Sequence, residues 1–164
     1  MKKVFIIRHA KSDQTFYGND FERPLNERGK KDAPLMAERL LKQQKHIDAF
    51  VASPAKRAKQ TAEAFATIYE APVEKVIFIS ALYHAPANVF YDVIAALPND
   101  LHTVAIFSHN PGITYFVNSL HEKVNIDNMP TCGIFAVEAD IEQWKDFIKA
   151  KKNFLFFDYP KLAL

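Results

Sequence analysis

At 164 residues the chain is long enough to bury a substantial core and short enough to form one domain. Its 49% hydrophobic and 24% charged content is that of a globular protein, which sets aside fibrous and disordered classes. With 21 basic and 19 acidic residues the formal net charge is +2, too balanced for nucleic acid or an anionic membrane to be the expected main partner. The single cysteine, Cys132, excludes an internal disulfide, and no CxxC spacing points to a metal or redox pair. The opening MKKVFII has too short an apolar run for a signal peptide, and no stretch approaches a bilayer span. A cytoplasmic protein of one domain, 1–164, is the expectation.

Val4–Ile7 is a short apolar run of β-branched and aromatic residues and predicts a buried strand. It runs directly into Arg8 and His9, a cation and an imidazole that packing does not explain at a strand end. In open α/β sheets ligands bind outside the carboxyl ends of the strands. The polar stretch Lys11–Gly29, with Gly18, Pro24 and Gly29, reads as a long loop of the kind that often serves function. Lys30–Lys45 reads as a helix with Leu35, Met36, Arg39, Leu40 and Leu41 on its apolar face and Pro34 near its start.

Asp48–Ala52 predicts a second strand. Ser53 and Pro54 then read as N-cap and first residue of a helix reaching about Tyr69, which puts Arg57 in its first turn. A third strand, Glu74–Ile79, is followed by the loop Ser80–Asn88 and a helix from about Asn88 to Leu97. Thr103–Phe107 is the fourth strand, and His109 lies just before the next helix, with Asn110 as its N-cap and Pro111 as its first residue. A loop over Val124–Pro130, a strand over Gly133–Glu138, a short helix over Ile141–Ala150 and a last strand over Asn153–Tyr159 complete the chain; Trp144 could equally sit in a turn. Strands alternating with helices predict a three-layer α/β/α sandwich with a mostly parallel central sheet. Right-handed crossovers then bring the ends of strands one, two and four to one edge.

Three of these strand exits carry matching groups: Arg8-His9, Arg57 and His109. Guanidinium forks match phosphate oxygens bidentately, helix N-termini favour anions, and imidazoles donate, accept or attack near neutral pH. The set predicts a phosphate pocket with His9 as nucleophile, its orientation fixed by a hydrogen bond from its other nitrogen to a backbone carbonyl. A cation in the first turn of a helix opposes the helix dipole, so Arg57 also reads as a partner for an anion rather than as a surface arginine. His46, His102 and His121 read as surface residues, Lys56 and Lys59 as solvated, Cys132 as a small packed residue, and the aromatic FLFFDY tail as core.

RHAKS (Arg8–Ser12) resembles the Arg-His-Gly motif of the histidine phosphatase, or phosphoglycerate mutase-like, superfamily, with Ala10 where glycine is usual. The ordered spacing to SPAKRAKQTA and FSHNPG resembles the short SixA-type phosphohistidine phosphatase branch, as do RPLNERGKKDAP, LYHA, PTCG and LFFDYP. The resemblance implies a phosphoglycerate mutase-like fold, a covalent phosphohistidine on His9, and Arg8, Arg57 and His109 as the phosphate pocket. It implies a phosphate contact from Ser12, and no metal or other cofactor. Mutase-like members often carry a carboxylate acid in the loop after strand three, whereas Ser80–Asn88 holds none. That fits a leaving group needing little protonation, such as the imidazole of phosphohistidine. His84, or Asp13 or Asp20 from the long loop, could act as the acid, with His84 favoured. His84 and Asn110 are also expected to line the substrate pocket. The expected partner is a phosphohistidine-bearing protein or a small phosphate ester. The alternatives are a small-molecule phosphomonoesterase and a catalytically inactive phosphate-binding module.

Overall fold

A computed structural model describes residues 1–162. In chain order its regular elements are β1 (Lys2–Arg8), α1 (Glu27–Gln43), β2 (Ala49–Ala52), α2 (Lys56–Ile68), β3 (Val76–Phe78), α3 (Ala87–Ala95), β4 (Thr103–Ser108), α4 (Gly112–Ser119), β5 (Ile134–Ala139) and β6 (Lys152–Asp158). The six strands form one sheet in the order β3-β2-β4-β1-β5-β6. The pairs β3-β2, β2-β4 and β4-β1 are parallel, while β5 and β6 add antiparallel at one side.

Alternation along the strands divides the interior into two cores. Val4 and Ile6 point to one face, with α3 and α4 packed over it through Phe90, Ile94, Phe116 and Val117. Phe5 and Ile7 point to the other, covered by α1 and α2 through Met36, Leu40, Ala62 and Phe65. The expected three-layer α/β/α sandwich is therefore the observed architecture. No helix of the described residues is long and apolar enough to cross a membrane.

Several local expectations are corrected. α1 begins at Glu27, not Lys30, because the Asn26 side chain accepts from the Gly29 N–H at 2.9 Å and caps the first turn. Gly29 is required there: a Cβ would lie 2.1 Å from the Lys11 carbonyl oxygen, so the helix start rests directly on the segment after His9. Pro34 consequently lies well inside the helix rather than near its start. The buried face is Gly29, Asp32, Ala33, Met36, Ala37 and Leu40. Leu35 is 44% exposed, and Arg39 turns to Asp158 in an ion pair that ties α1 to β6.

Neither proposed cap holds. α2 starts at Lys56 with Ala55 at the capping position, and α4 starts at Gly112 with Pro111 there; neither has a side-chain cap. Ser53, Pro54 and Asn110 lie outside the helices; Ser53 Oγ accepts from the Ala55 N–H at 3.2 Å and also meets a distant partner, and the Asn110 amide nitrogen donates outside α4's first turn, as described below. β3 is shorter than expected, since Val73–Lys75 winds into a 3-10 turn. Over 141–150 only a 3-10 turn, Trp144–Asp146, forms in place of a helix. Trp144 is buried in it, its indole N–H donating to the Leu101 carbonyl at 2.9 Å.

Candidate active site

The sheet register brings the site together. Arg8, the last residue of β1, pairs with Ser108, the last of β4, and Ala52 at the end of β2 pairs with Phe107. The residues that follow these ends, His9, Ser53 and His109, are therefore neighbours. Arg8, His9, Arg57 and His109 line a cleft of about 420 Å³ at this edge, and Ser12, His84 and Asn110 line it too. A larger open cleft of about 520 Å³, between Ser119–Lys123 and Ala150–Lys152, lies at the opposite end of the sheet, where β6 begins.

His9 is buried. Its Nδ1 lies 2.7 Å from the Ala10 carbonyl oxygen, an acceptor only, so Nδ1 carries the proton and Nε2 keeps the lone pair. Burial lowers its pKa to about 3, against the opposing Ala10 hydrogen bond and with help from Arg8, Arg57 and Arg23. The ring is thus neutral at pH 7. The Ala10 N–H donates to Thr61 Oγ1 at 3.0 Å, and the Thr61 hydroxyl donates to the Arg57 carbonyl at 2.7 Å, which locks the His9 segment to α2. Ala10 is fully buried, so the methyl group at the usual glycine position is accommodated.

Three guanidinium groups surround this imidazole. Arg8 donates through Nη1 to the Met129 carbonyl at 2.8 Å, and its pKa is lowered by burial and by Arg57 and Arg23 nearby. Arg57 is buried, not a surface arginine, and donates to the Asp20 carbonyl at 2.8 Å and to Asp20 Oδ2 at 3.0 Å. Arg23, which sequence reasoning did not single out, donates to Ser12 Oγ and to Asp20 Oδ1 at 2.9 Å. The Nε atoms of Arg8 and Arg57 are buried without a partner among the described residues. Such a concentration of positive charge is built for an anion.

His109 stands beside His9, with ring centroids 5.2 Å apart. Burial lowers its pKa to about 2, reinforced by His9, Arg57 and His84 and opposed by Asp20. Its Nε2 lies 2.8 Å from Ser53 Oγ. Asn110 reaches the cleft, but its amide is engaged: it donates to Asn128 Oδ1 at 2.7 Å and to the Met129 carbonyl at 3.1 Å, and accepts from Thr114 Oγ1 at 2.6 Å. It clamps the carbonyl that also holds Arg8.

The three candidate acids separate clearly. Asp13 is outside the cleft lining, and its Oδ1 accepts from Thr15 N–H and Oγ1. Asp20 does reach in: its Oδ2 accepts from Tyr83 Oη at 2.7 Å and lies 3.3 Å from His84 Nε2. Burial pushes its carboxyl up, but bonds from Tyr83, Arg23 and Arg57 outweigh that and hold it below the usual carboxylate range. His84 is half-exposed at the cleft wall with φ +54°, its ring against Tyr83 at 4.1 Å between centroids. The loop is fixed from below by Ser108 Oγ, which donates to the Leu82 carbonyl at 2.6 Å, and by Gly112, where a Cβ would meet the Ala85 carbonyl at 1.7 Å. Sequence reasoning missed Arg23, Ser53 as a His109 partner, Thr61 and Tyr83. Thr61 was findable, four residues after Arg57 on the same helix face.

A family model described as the histidine phosphatase superfamily (branch 1) matches residues 4–77, the span holding Arg8, His9 and Arg57. Among solved structures, the protein histidine phosphatase SixA complexed with tungstate superposes with a TM-score of 0.79 at 26% identity, covering 96% of each chain. Two proteins provisionally named phosphohistidine phosphatase SixA are also similar. That from Agrobacterium tumefaciens has a TM-score of 0.80 at 23% identity, covering 97% of this chain and 98% of its own. That from Nakamurella multipartitia has a TM-score of 0.82 at 19% identity, covering 98% of this chain and 97% of its own. Comparison with the curated proteins gives no match.

Proposed function

We propose that the chain is a member of the histidine phosphatase superfamily, whose model matches residues 4–77, and a phosphohydrolase working through a phosphoryl group carried on His9. The observation that carries this reading is a buried, neutral His9 with Nδ1–H tied to the Ala10 carbonyl, set among Arg8, Arg23 and Arg57. In the first step His9 Nε2 forms a bond to phosphorus as the bond to the leaving group breaks. The arginines and His109 stabilise the charge on the equatorial oxygens. In the second step water attacks phosphorus, the N–P bond breaks, and inorganic phosphate leaves with His9 restored.

The substrate we favour is phosphohistidine in a protein. Its leaving imidazole needs little help from an acid, and the cleft offers no neutral carboxyl: Asp20 is held ionised by its hydrogen bonds. The similar tungstate-bound structure is named a protein histidine phosphatase. A second reading, a small-molecule phosphomonoesterase, is supported by the 3.3 Å contact of His84 Nε2 with Asp20 Oδ2 at the cleft wall, where an alkoxide leaving group would need an acid. A pure phosphate-binding module has no use for an oriented nucleophile.

The test is a rapid acid-labile trap with an aryl phosphate, followed by peptide mass mapping. A phosphoryl mass on the His9 peptide that His9→Ala abolishes is expected. No label and no turnover with so good a leaving group would leave the binding module standing. Comparable rates on a phosphoramidate and a phosphoserine peptide would shift the substrate to the ester class.

A further inference from the structure

Ser53 is fully buried, and its position is fixed by its N–H donating to the Phe107 carbonyl at 3.0 Å. Its Oγ accepts from the Ala55 N–H at 3.2 Å and lies 2.8 Å from His109 Nε2. A hydroxyl has one proton to give. Among the described residues the only hydrogen-bond acceptor paired with Ser53 Oγ is that Nε2. If Nε2 carried the imidazole proton, the Ser53 O–H would be buried with no acceptor, the costly way to leave a hydroxyl. The other arrangement pairs the hydroxyl and leaves one group open, which faces the cleft: Ser53 O–H donates to Nε2, and the proton of His109 sits on Nδ1.

His109 Nδ1 is itself buried and without a partner among the described residues, on a ring that lines the cleft. The geometry points to Ser53 as a positioning residue that sets the tautomer of His109, so that Nδ1–H is a fixed donor to the phosphoryl group transferred to His9. This rests on the phosphatase reading above. With the opposite tautomer Nδ1 would present a lone pair to phosphoryl oxygens and repel them. The strand order makes the arrangement rigid, because Ser53 follows β2 and His109 follows β4, and those two strands pair directly. No proton is transferred by Ser53; it donates a hydrogen bond before, during and after phosphoryl transfer.

The experiment is ¹⁵N-detected histidine NMR of the full chain at pH 7.5, alone and with inorganic phosphate. In the wild type, His109 is expected to show a protonated Nδ1 and an unprotonated Nε2. A protonated Nε2 would overturn the proposal outright, without reference to any variant or to activity. In Ser53→Ala the Nδ1-protonated form should cease to dominate, and kcat on an aryl phosphate should fall about tenfold or more with KM changed much less. Ser53→Thr, which keeps the hydroxyl, should restore both. An unchanged tautomer and kcat in Ser53→Ala would also sink it. If the wild type shows the expected tautomer but no turnover and no His9 label, the phosphatase reading has failed while the Ser53–His109 assignment stands.

Discussion

In the proposed mechanism Asp20 competes for the guanidinium that a phosphoryl group would use. Its carbonyl and its carboxylate together take both terminal nitrogens of Arg57. Asp20→Asn removes the charge and leaves the shape, so inorganic phosphate should inhibit more tightly, about fivefold, on the order of 1 kcal/mol. The effect is held to that size because Asp20 is 44% exposed and water screens it. Competitive inhibition by phosphate at fixed ionic strength measures it, and weaker inhibition in the variant would mean that Asp20 organises Arg57 instead. Arg8, His9, Arg57 and His109 were legible because each stands within a few residues of a strand exit, where the sequence itself fixes location. Arg23 was not, because it acts from a long polar loop whose path is set by one bridge, Ser12 to Leu25, and by contacts with α2. Ser53 was read as a cap because serine before proline has that local signature. Its oxygen does take the Ala55 N–H, but it also pairs with His109, 56 residues away, which local sequence does not reveal.

Two helices are positioned by the absence of a side chain. α1 rests on Lys11 at Gly29, and α4 rests on the His84 loop at Gly112. Gly112→Ala would drive a Cβ into the Ala85 carbonyl, and neither backbone can yield without moving His84 or His109. A loss of about 2 kcal/mol is expected, with Tm lower by roughly 4–8 °C. Calorimetry checks the stability, and kcat on an aryl phosphate should fall with it; an unchanged Tm would show that the contact is slack. The existence and order of the main strands and helices followed from periodicity. Their starts did not, since α1 is capped by Asn26 inside a stretch that Gly29 disguised as loop. α2 and α4 begin without side-chain caps, held in place by strand exits and packing.

Across the whole molecule, the site costs stability in acid. His9 and His109 have pKa values lowered from 6.5 to about 3 and about 2, so between those limits the unfolded chain binds two protons that the native chain refuses. Stability therefore falls as pH drops below about 6.5 and is level above it, with each histidine contributing at most about 1.4 kcal/mol per pH unit. Asp20, with its carboxyl lowered, loses its contribution only at lower pH, below the ordinary carboxylate range. Urea melts at pH 7.5, 5.5 and 4.5 should show this slope, and the double variant His9→Asn, His109→Asn should flatten it. Equal stability at pH 7.5 and 5.5 would contradict the burial of two neutral imidazoles.

The strand order has a consequence for a chain made from its N-terminus. β1 and β2 never pair with each other; both pair with β4, which lies between them and is completed only at Ser108. Arg8 then waits for Met129, and the backbone after His9 for Cys132, whose N–H reaches the carbonyls of both Arg8 and His9. A growing polypeptide thus carries His9 for more than a hundred residues, by count roughly 120, before the backbone that cradles it has been made.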